Sequence, residues 1–488
     1  MSTRARARVL GVLVTCIGIV LYLSLGDTLR PFLFPPRYAN PTPEDGFHEY
    51  LYGDLGGGTE AALPELFYLA TVTAFPERFG RTRQEILDRY GFVENPDSGL
   101  PYGAVRTKNL LRQTFLQSNC ALCHTGRVNG QIVHGIGNHD LSLTLLTRDI
   151  AELITSGQLT EGVLVDSASA YQARGGASLT PQDNVLLRIV FATLRQRLAD
   201  QPDLARLDVT PGRNSPVEFA KLRLAMGLDT PPGSVKFPAI WYWDRTRTRF
   251  TSDGSFVGQG LYLPLAPEFT KGRDAAGIVR DLSPIAAVVT WAEATPPPPY
   301  PGQRQPQLEE RGQRVFTGEC GSCHGTYRPG GSFDYPENVV PWGVVRTDRA
   351  RLDAITPDLV RRYNRAELSP YLRLQQTEGY LAPNLQGIWA RAPYLHNASV
   401  PTLDDLLRPP DQRPAFFYVG QQPEYDLDRM GIRCTATVEG GRRGCTPTRP
   451  EQFRFDTTAP GNGNGGHEFG TQLPPPELEA LMAYLKSL

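Results

Sequence analysis

Two stretches of the chain repeat one pattern of reactive side chains, "NCALCHTG" at residues 119–126 and "ECGSCHGT" at 319–326. In each, two thiols stand three positions apart and a histidine follows the second. Thiols at i and i+3 can each add to one vinyl group of a haem, and the next residue then falls beneath the iron. Cys-x-x-Cys-His is therefore the attachment signature of c-type haem. Cys120, Cys123 and His124 are candidates to hold one covalent haem c, and Cys320, Cys323 and His324 a second. A CxxC can also be a redox dithiol or half of a zinc site. The first needs a βαβ frame that neither motif has. The second needs another CxxC or a histidine pair close by, and the two motifs are two hundred residues apart.

A haem held only by its proximal histidine has one open face. Filling that face makes an electron-transfer centre, and leaving it open makes a site for dioxygen or peroxide. Methionine is scarce: apart from Met1 and Met482, only Met226 and Met430 could serve. The histidines outside the motifs are His48, His134, His139, His396 and His467. His467 stands in "GNGNGGHEFG", just before the last helical pattern. A small cytochrome c takes its sixth ligand from this place, and glycines there let backbone pass close to a porphyrin. His467 is thus the candidate distal ligand of the second haem, with His396 and Met430 as competitors. His396 is also a candidate for contact with ligands or haem propionates. For the first haem, His134 and His139 are open alternatives. The stretch with Trp241, Trp243, Phe250 and Phe256 could wall an open pocket or simply fill a core. No catalytic residue is assigned.

The elements that must position these groups are mostly helical in pattern. Apolar residues recur three and four apart in "LSLTLLTRDIAELITSG" and "PQDNVLLRIVFATLRQRLAD". "LEERGQRVFTGECGSCHG", with Gly312, Val315 and Phe316 before the motif, looks like the first helix of a small cytochrome c. "LPPPELEALMAYLKSL" supplies a closing helix with one apolar face. The run "TPPPPYPGQRQPQ" cannot continue a helix and marks a boundary near residue 300. The expected architecture is mainly α: two cytochrome c-like haem domains with long loop-rich insertions, preceded by one transmembrane helix. The expected segments are 1–30 (signal anchor), 31–300 (N-terminal haem domain) and 301–488 (C-terminal cytochrome c domain).

The transmembrane expectation rests on Val9–Gly26, an uncharged apolar run of eighteen residues that includes Cys16 and follows Arg4, Arg6 and Arg8. It places the protein at a bacterial inner membrane facing the periplasm, or, if the segment is cleaved, soluble in the periplasm. Cys434 and Cys445 flank a Gly/Arg-rich loop, and in an oxidising setting a loop-closing disulfide is the default. The 488 residues include 40% apolar residues and carry a net charge of −1. So near-neutral a balance speaks against nucleic acid as a partner. The partners expected are a redox protein or respiratory-chain component, and the membrane through the N-terminal helix.

Several stretches together resemble a known family. "FHEYLYGDLGGGTE", "NCALCHTG", "FTSDGS", "TPPPPYP", "CGSCH", "VVRTDRARLDA", "GYLAPNLQGIWARAPYLHNASVPTLDDLLRPPDQRPAFFYVG" and "FRFDTTAPGNGNGGHEFGT" fall in the order of dihaem c-type cytochromes similar to bacterial rubber oxygenase. That group is related to the dihaem cytochrome c peroxidases. The resemblance implies an N-terminal haem with an open or oxygen-bearing face and a C-terminal haem with two histidine ligands. Matched residue by residue, it implies Cys120, Cys123 and His124 for the first, and Cys320, Cys323, His324 and His467 for the second. Phe250 and Phe256 are the positions open to a distal aromatic. The chain departs from the family at Ser252, where many members have Trp before Asp-Gly. The expected function is a dihaem redox protein of peroxidase or oxygenase type. The alternatives are a pure electron carrier with both irons six-coordinate and a rubber-oxygenase-like dioxygenase.

Overall fold

The computed structural model describes residues 36–488 except 56–61, 110, 174–179, 200–203, 205–206, 229–231, 271–278, 280–281, 329–331 and 367. Helix accounts for 40% and strand for 16%, so the fold is mixed α/β rather than mainly α. The strands run from two to five residues and pair between loop segments. Such short pairs carry no readable period-two alternation, which is why the sequence did not announce them. Among the described residues no helix is long and apolar enough to cross a membrane. That finding withdraws the transmembrane helix and the inner-membrane placement. The Val9–Gly26 run itself lies outside the described residues.

The helices that matter for the motifs are α1 (Pro43–Tyr52), α2 (Cys120–His124), α3 (Leu143–Thr155), α4 (Pro181–Ala199), α5 (Ser283–Ala294), α6 (Pro306–Glu319), α7 (Gly321–His324) and α8 (Pro475–Ser487). Thr42 starts α1 with a capping box: its hydroxyl accepts from the Asp45 amide, and the Asp45 carboxylate accepts from the Thr42 amide. A cap of this kind is worth about 1 kcal/mol. The helix α6, which leads into the second motif, packs across the last helix, α8. They touch at Gly312, where a methyl group would come within 1.9 Å of the Ala480 carbonyl oxygen. In the first half α1 packs on α5 in the same close way.

Each motif sits between two apolar clusters. Cys120 packs on a core built from Tyr50, Trp243, Phe256, Val288 and Trp291. Cys123 packs on a second, with Phe67, Phe79, Leu153 and Phe191, where α3 and α4 bury their apolar faces. Cys320 joins a cluster with Phe316, Tyr394, Leu481 and Tyr484, and Cys323 one with Val340, Val345, Leu352 and Tyr380. Burying each such large side chain stabilises the fold by about 1.5–3 kcal/mol. Two of these cores draw from both sides of residue 300. Leu359, Tyr363 and Leu372 complete the first, while Val128, Ile136 and Trp241 enter the cluster around α6 and α8. A three-stranded antiparallel sheet makes the same crossing, with β1 (Arg249–Phe250) and β3 (Leu372–Leu374) on either side of β2 (Phe256–Gly258).

Candidate haem sites

The motif helices are short, and their histidines are aimed by hydrogen bonds rather than by helix geometry. Asn119 caps α2 by accepting from the Ala121 amide. The His124 carbonyl accepts from the Tyr50 hydroxyl and from the Gly135 amide at 2.7 Å. His124 Nδ1 lies 2.9 Å from the Pro238 carbonyl oxygen. His324 Nδ1 lies 2.8 Å from the Pro383 carbonyl oxygen. A carbonyl can only accept, so in both rings Nδ1 carries the proton and Nε2 keeps its lone pair. This is the tautomer and orientation that a metal-ligating histidine takes from its second partner. The two motifs are held alike although their supports come from unrelated positions.

His467 faces His324. Their ring centroids are 6.3 Å apart and the planes are inclined by 55°. Two imidazoles on opposite sides of one metal, at metal–nitrogen distances of about 2.0–2.1 Å, have centroids about 6.3 Å apart. The loop carrying His467 is fixed by Arg413, a buried side chain. Its Nη1 donates to the carbonyls of Asn464 (2.5 Å) and Gly466 (2.8 Å), and its Nη2 to those of Leu406 (3.1 Å) and His467 (3.2 Å). The His467 amide donates to the Val345 carbonyl at 2.7 Å. Gly466 takes φ +71°, and a methyl group there would sit 2.3 Å from Arg346 backbone, so only glycine fits. His467 Nδ1 is buried without a protein partner. Burial, then the neighbouring His324 and Arg413, push this imidazole down to about 4, so it is neutral at pH 7.

Phe250 and Phe256 stand opposite each other across β1 and β2. Phe250 meets Trp243 at 5.9 Å, Phe256 meets Tyr363 at 5.4 Å, and both belong to the core that receives Cys120. Behind this turn, Asp253 and Arg351 form an ion pair at 3.1 Å with both side chains fully out of solvent. The Thr251 hydroxyl also donates to Asp253, at 2.5 Å. His134 lies in a box of Tyr102, Phe47 and Tyr50 rings, 5.0 to 6.1 Å away, and burial lowers its pKa. His139 is pushed down to about 3 by burial and then by Lys236. His396 stacks on Tyr380 at 4.0 Å. Met430 is wholly buried in the cluster around α6 and α8, and Met226 lies against the first core. Cys434 and Cys445 are joined by a disulfide across a two-stranded hairpin.

Among the described residues no three or more His, Cys, Asp or Glu are grouped to hold a metal by themselves. A haem iron asks the chain for only one or two ligands, because the porphyrin supplies the rest. The donors present fit that group: two thiols beside each motif histidine, an Nδ1 on each ring turned to a backbone carbonyl, and an opposing imidazole at the second.

Residues 379–418 match the RoxA-like, cytochrome c-like family. The matched segment contains Pro383, whose carbonyl holds His324, and Arg413, whose guanidinium holds the His467 loop. The match supports a haem c redox protein with RoxA-like character. Two proteins of Sinorhizobium fredii (strain NBRC 101917 / NGR234) are also similar. The uncharacterized protein y4iJ is 44% identical over 124 residues, 24% of this chain and 19% of its own. The uncharacterized protein y4iM is 28% identical over 251 residues, 47% of this chain and 56% of its own. The chain thus spans about a fifth and somewhat over half of the curated relatives it matches.

Sequence reasoning did not find Pro238, Pro383, Lys236, Arg391 or Arg413. A signal for the first two existed: each proline is followed closely by Ile-Trp, in "PAIW" and in "PNLQGIW". For the cations there was none.

Proposed function

We propose that the chain is a dihaem c-type cytochrome. Cys120 and Cys123, with His124, would hold one haem; Cys320 and Cys323, with His324 and His467, would hold the other. The observation that carries this reading is the pair of facing imidazoles, His324 and His467. When bound, haem supplies one-electron redox chemistry and, on an open face, a position for dioxygen or peroxide. His324 and His467 would both ligate a haem iron held at the second motif, and an iron so closed would serve electron transfer. At the first site His124 would ligate the iron, and Phe250, Phe256 and Trp243, which share the core that receives Cys120, would give that site apolar surroundings. Electrons reach or leave the chain through a redox partner protein.

The test is spectroscopic. Purified protein should yield two covalent haems per chain by pyridine haemochrome. Its ferric EPR spectrum should show one low-spin signal and one signal that responds to cyanide. Two low-spin signals, neither responding to cyanide, would reduce the protein to an electron carrier. A haem content of one or none would sink the dihaem reading. The RoxA-like match favours one further reading, oxidative cleavage of a polyisoprene, and oxo-terminated fragments from latex are its readout.

A further inference from the structure

Between the two candidate sites lie two half-buried cations. Lys236 Nζ donates to the carbonyls of Arg391 (2.6 Å) and Pro393 (2.7 Å), over the Tyr394 ring at 5.6 Å. The Arg391 guanidinium donates to the carbonyls of Asn384 and Gln386 and lies over Trp241 at 5.5 Å. Among the described residues, these contacts of the two are all with neutral oxygens or aromatic faces. Arg391 Nε is buried without any partner. Withdrawing a cation from water without an acid beside it costs free energy, and two side by side cost more. Burial and then Arg391 push Lys236 down to about 7, and burial pushes Arg391 down to about 10. Two buried arginines do have carboxylates: Arg213 pairs with Asp208 at 2.7 Å and Arg351 with Asp253.

The location narrows the missing anion. Lys236 is two residues before Pro238, whose carbonyl holds His124. Arg391 grips Asn384, the residue after Pro383, whose carbonyl holds His324. Each cation therefore rises from the segment that aims one motif histidine, and the bond from Lys236 to the Arg391 carbonyl ties the two segments together. We propose that Lys236 and Arg391 form a carboxylate-binding cradle between the two attachment sites, taking haem propionate. This rests on the dihaem reading. The two cations are positioning residues: they compensate the propionate charge and fix the porphyrin edges relative to each other.

The experiment uses holoprotein whose haem content has been measured first. Absence of haem would remove the dihaem reading, and this inference with it. With haem present, spectroelectrochemical midpoints are compared for the native chain, Lys236→Met, Lys236→Arg and Arg391→Gln. Removing a cation beside the porphyrin favours the ferric state, so the Met and Gln variants should shift a midpoint downward and Lys236→Arg should restore it. A shift that Lys236→Arg does not restore, or no shift at full haem loading, overturns the cradle. Infrared titration of the native protein needs no variant. A propionate held by two cations stays ionised well below the ordinary carboxylate range of about 4. Propionates that all protonate within that range also overturn it, including the case in which the cations hold only a free inorganic anion.

Discussion

His467 presents its ring to His324 at 6.3 Å while its own backbone is left-handed, at φ 46°. A non-glycine residue costs about 1–2 kcal/mol in that region, so the side chain is kept against a backbone preference. Such strain persists where the surroundings and a function impose it. Replacing His467 by Ala should turn the second haem high-spin, read by EPR and visible absorption. His467→Gly should do the same yet be about 1 kcal/mol more stable than the Ala variant by denaturant titration. A low-spin spectrum surviving in both variants would remove His467 from the iron.

Arg413→Lys tests the support of that loop. A lysine keeps the charge but loses the planar fork that reaches the carbonyls of Asn464, Gly466, Leu406 and His467. The variant should lose about 1–3 kcal/mol. It should also show a mixed-spin second haem, with low-spin character recovering on added imidazole. An unchanged EPR spectrum would show that the loop holds without the fork.

Gly312→Ala probes the crossing of α6 and α8. The added methyl meets the Ala480 carbonyl, which is backbone and can move only if a helix moves. Overpacking of this kind costs about 1–3 kcal/mol. Because α6 ends at Cys320, haem retention at the second motif should fall along with stability. Haem loading that stays full at unchanged denaturation midpoint would contradict the tight crossing.

Acid should destabilise the protein through His396. Burial, then Arg213 and Arg351, push its pKa from 6.5 down to about 3. Between those values the unfolded chain binds a proton that the folded one does not. Stability therefore falls as pH drops below 6.5, by about 1.4 kcal/mol per pH unit for this group. His396→Phe, which keeps the stacking on Tyr380, should flatten the stability profile by that slope between pH 6.5 and 3. An unchanged slope would assign the acid sensitivity elsewhere.

What the sequence made legible is what is local along it. The Cys-x-x-Cys-His spacing is dictated by one porphyrin edge, so it is written in five consecutive residues. The helices at residues 143–155, 181–199 and 475–487 carry apolar periodicity, and it showed. The strands did not show, because pairs such as Phe256 with Leu374 join segments far apart in the chain. Lys236, Arg391 and Arg413 were invisible for a related reason. Their significance lies in the backbone carbonyls they hold, and those contacts are a property of the assembled chain. The membrane placement failed differently: it hung on one terminal run, and nothing among the described helices supports it.

The two cores that cross residue 300 bear on how the chain survives cutting. Tyr363 and Leu372 lie on one side of the proline run at 295–301 and Trp291 and Phe256 on the other, all within one core. A cut there leaves two fragments that share their interiors. They should travel as a single particle on a sizing column and separate only in denaturant, so the two Cys-x-x-Cys-His motifs keep their spacing even in a nicked protein.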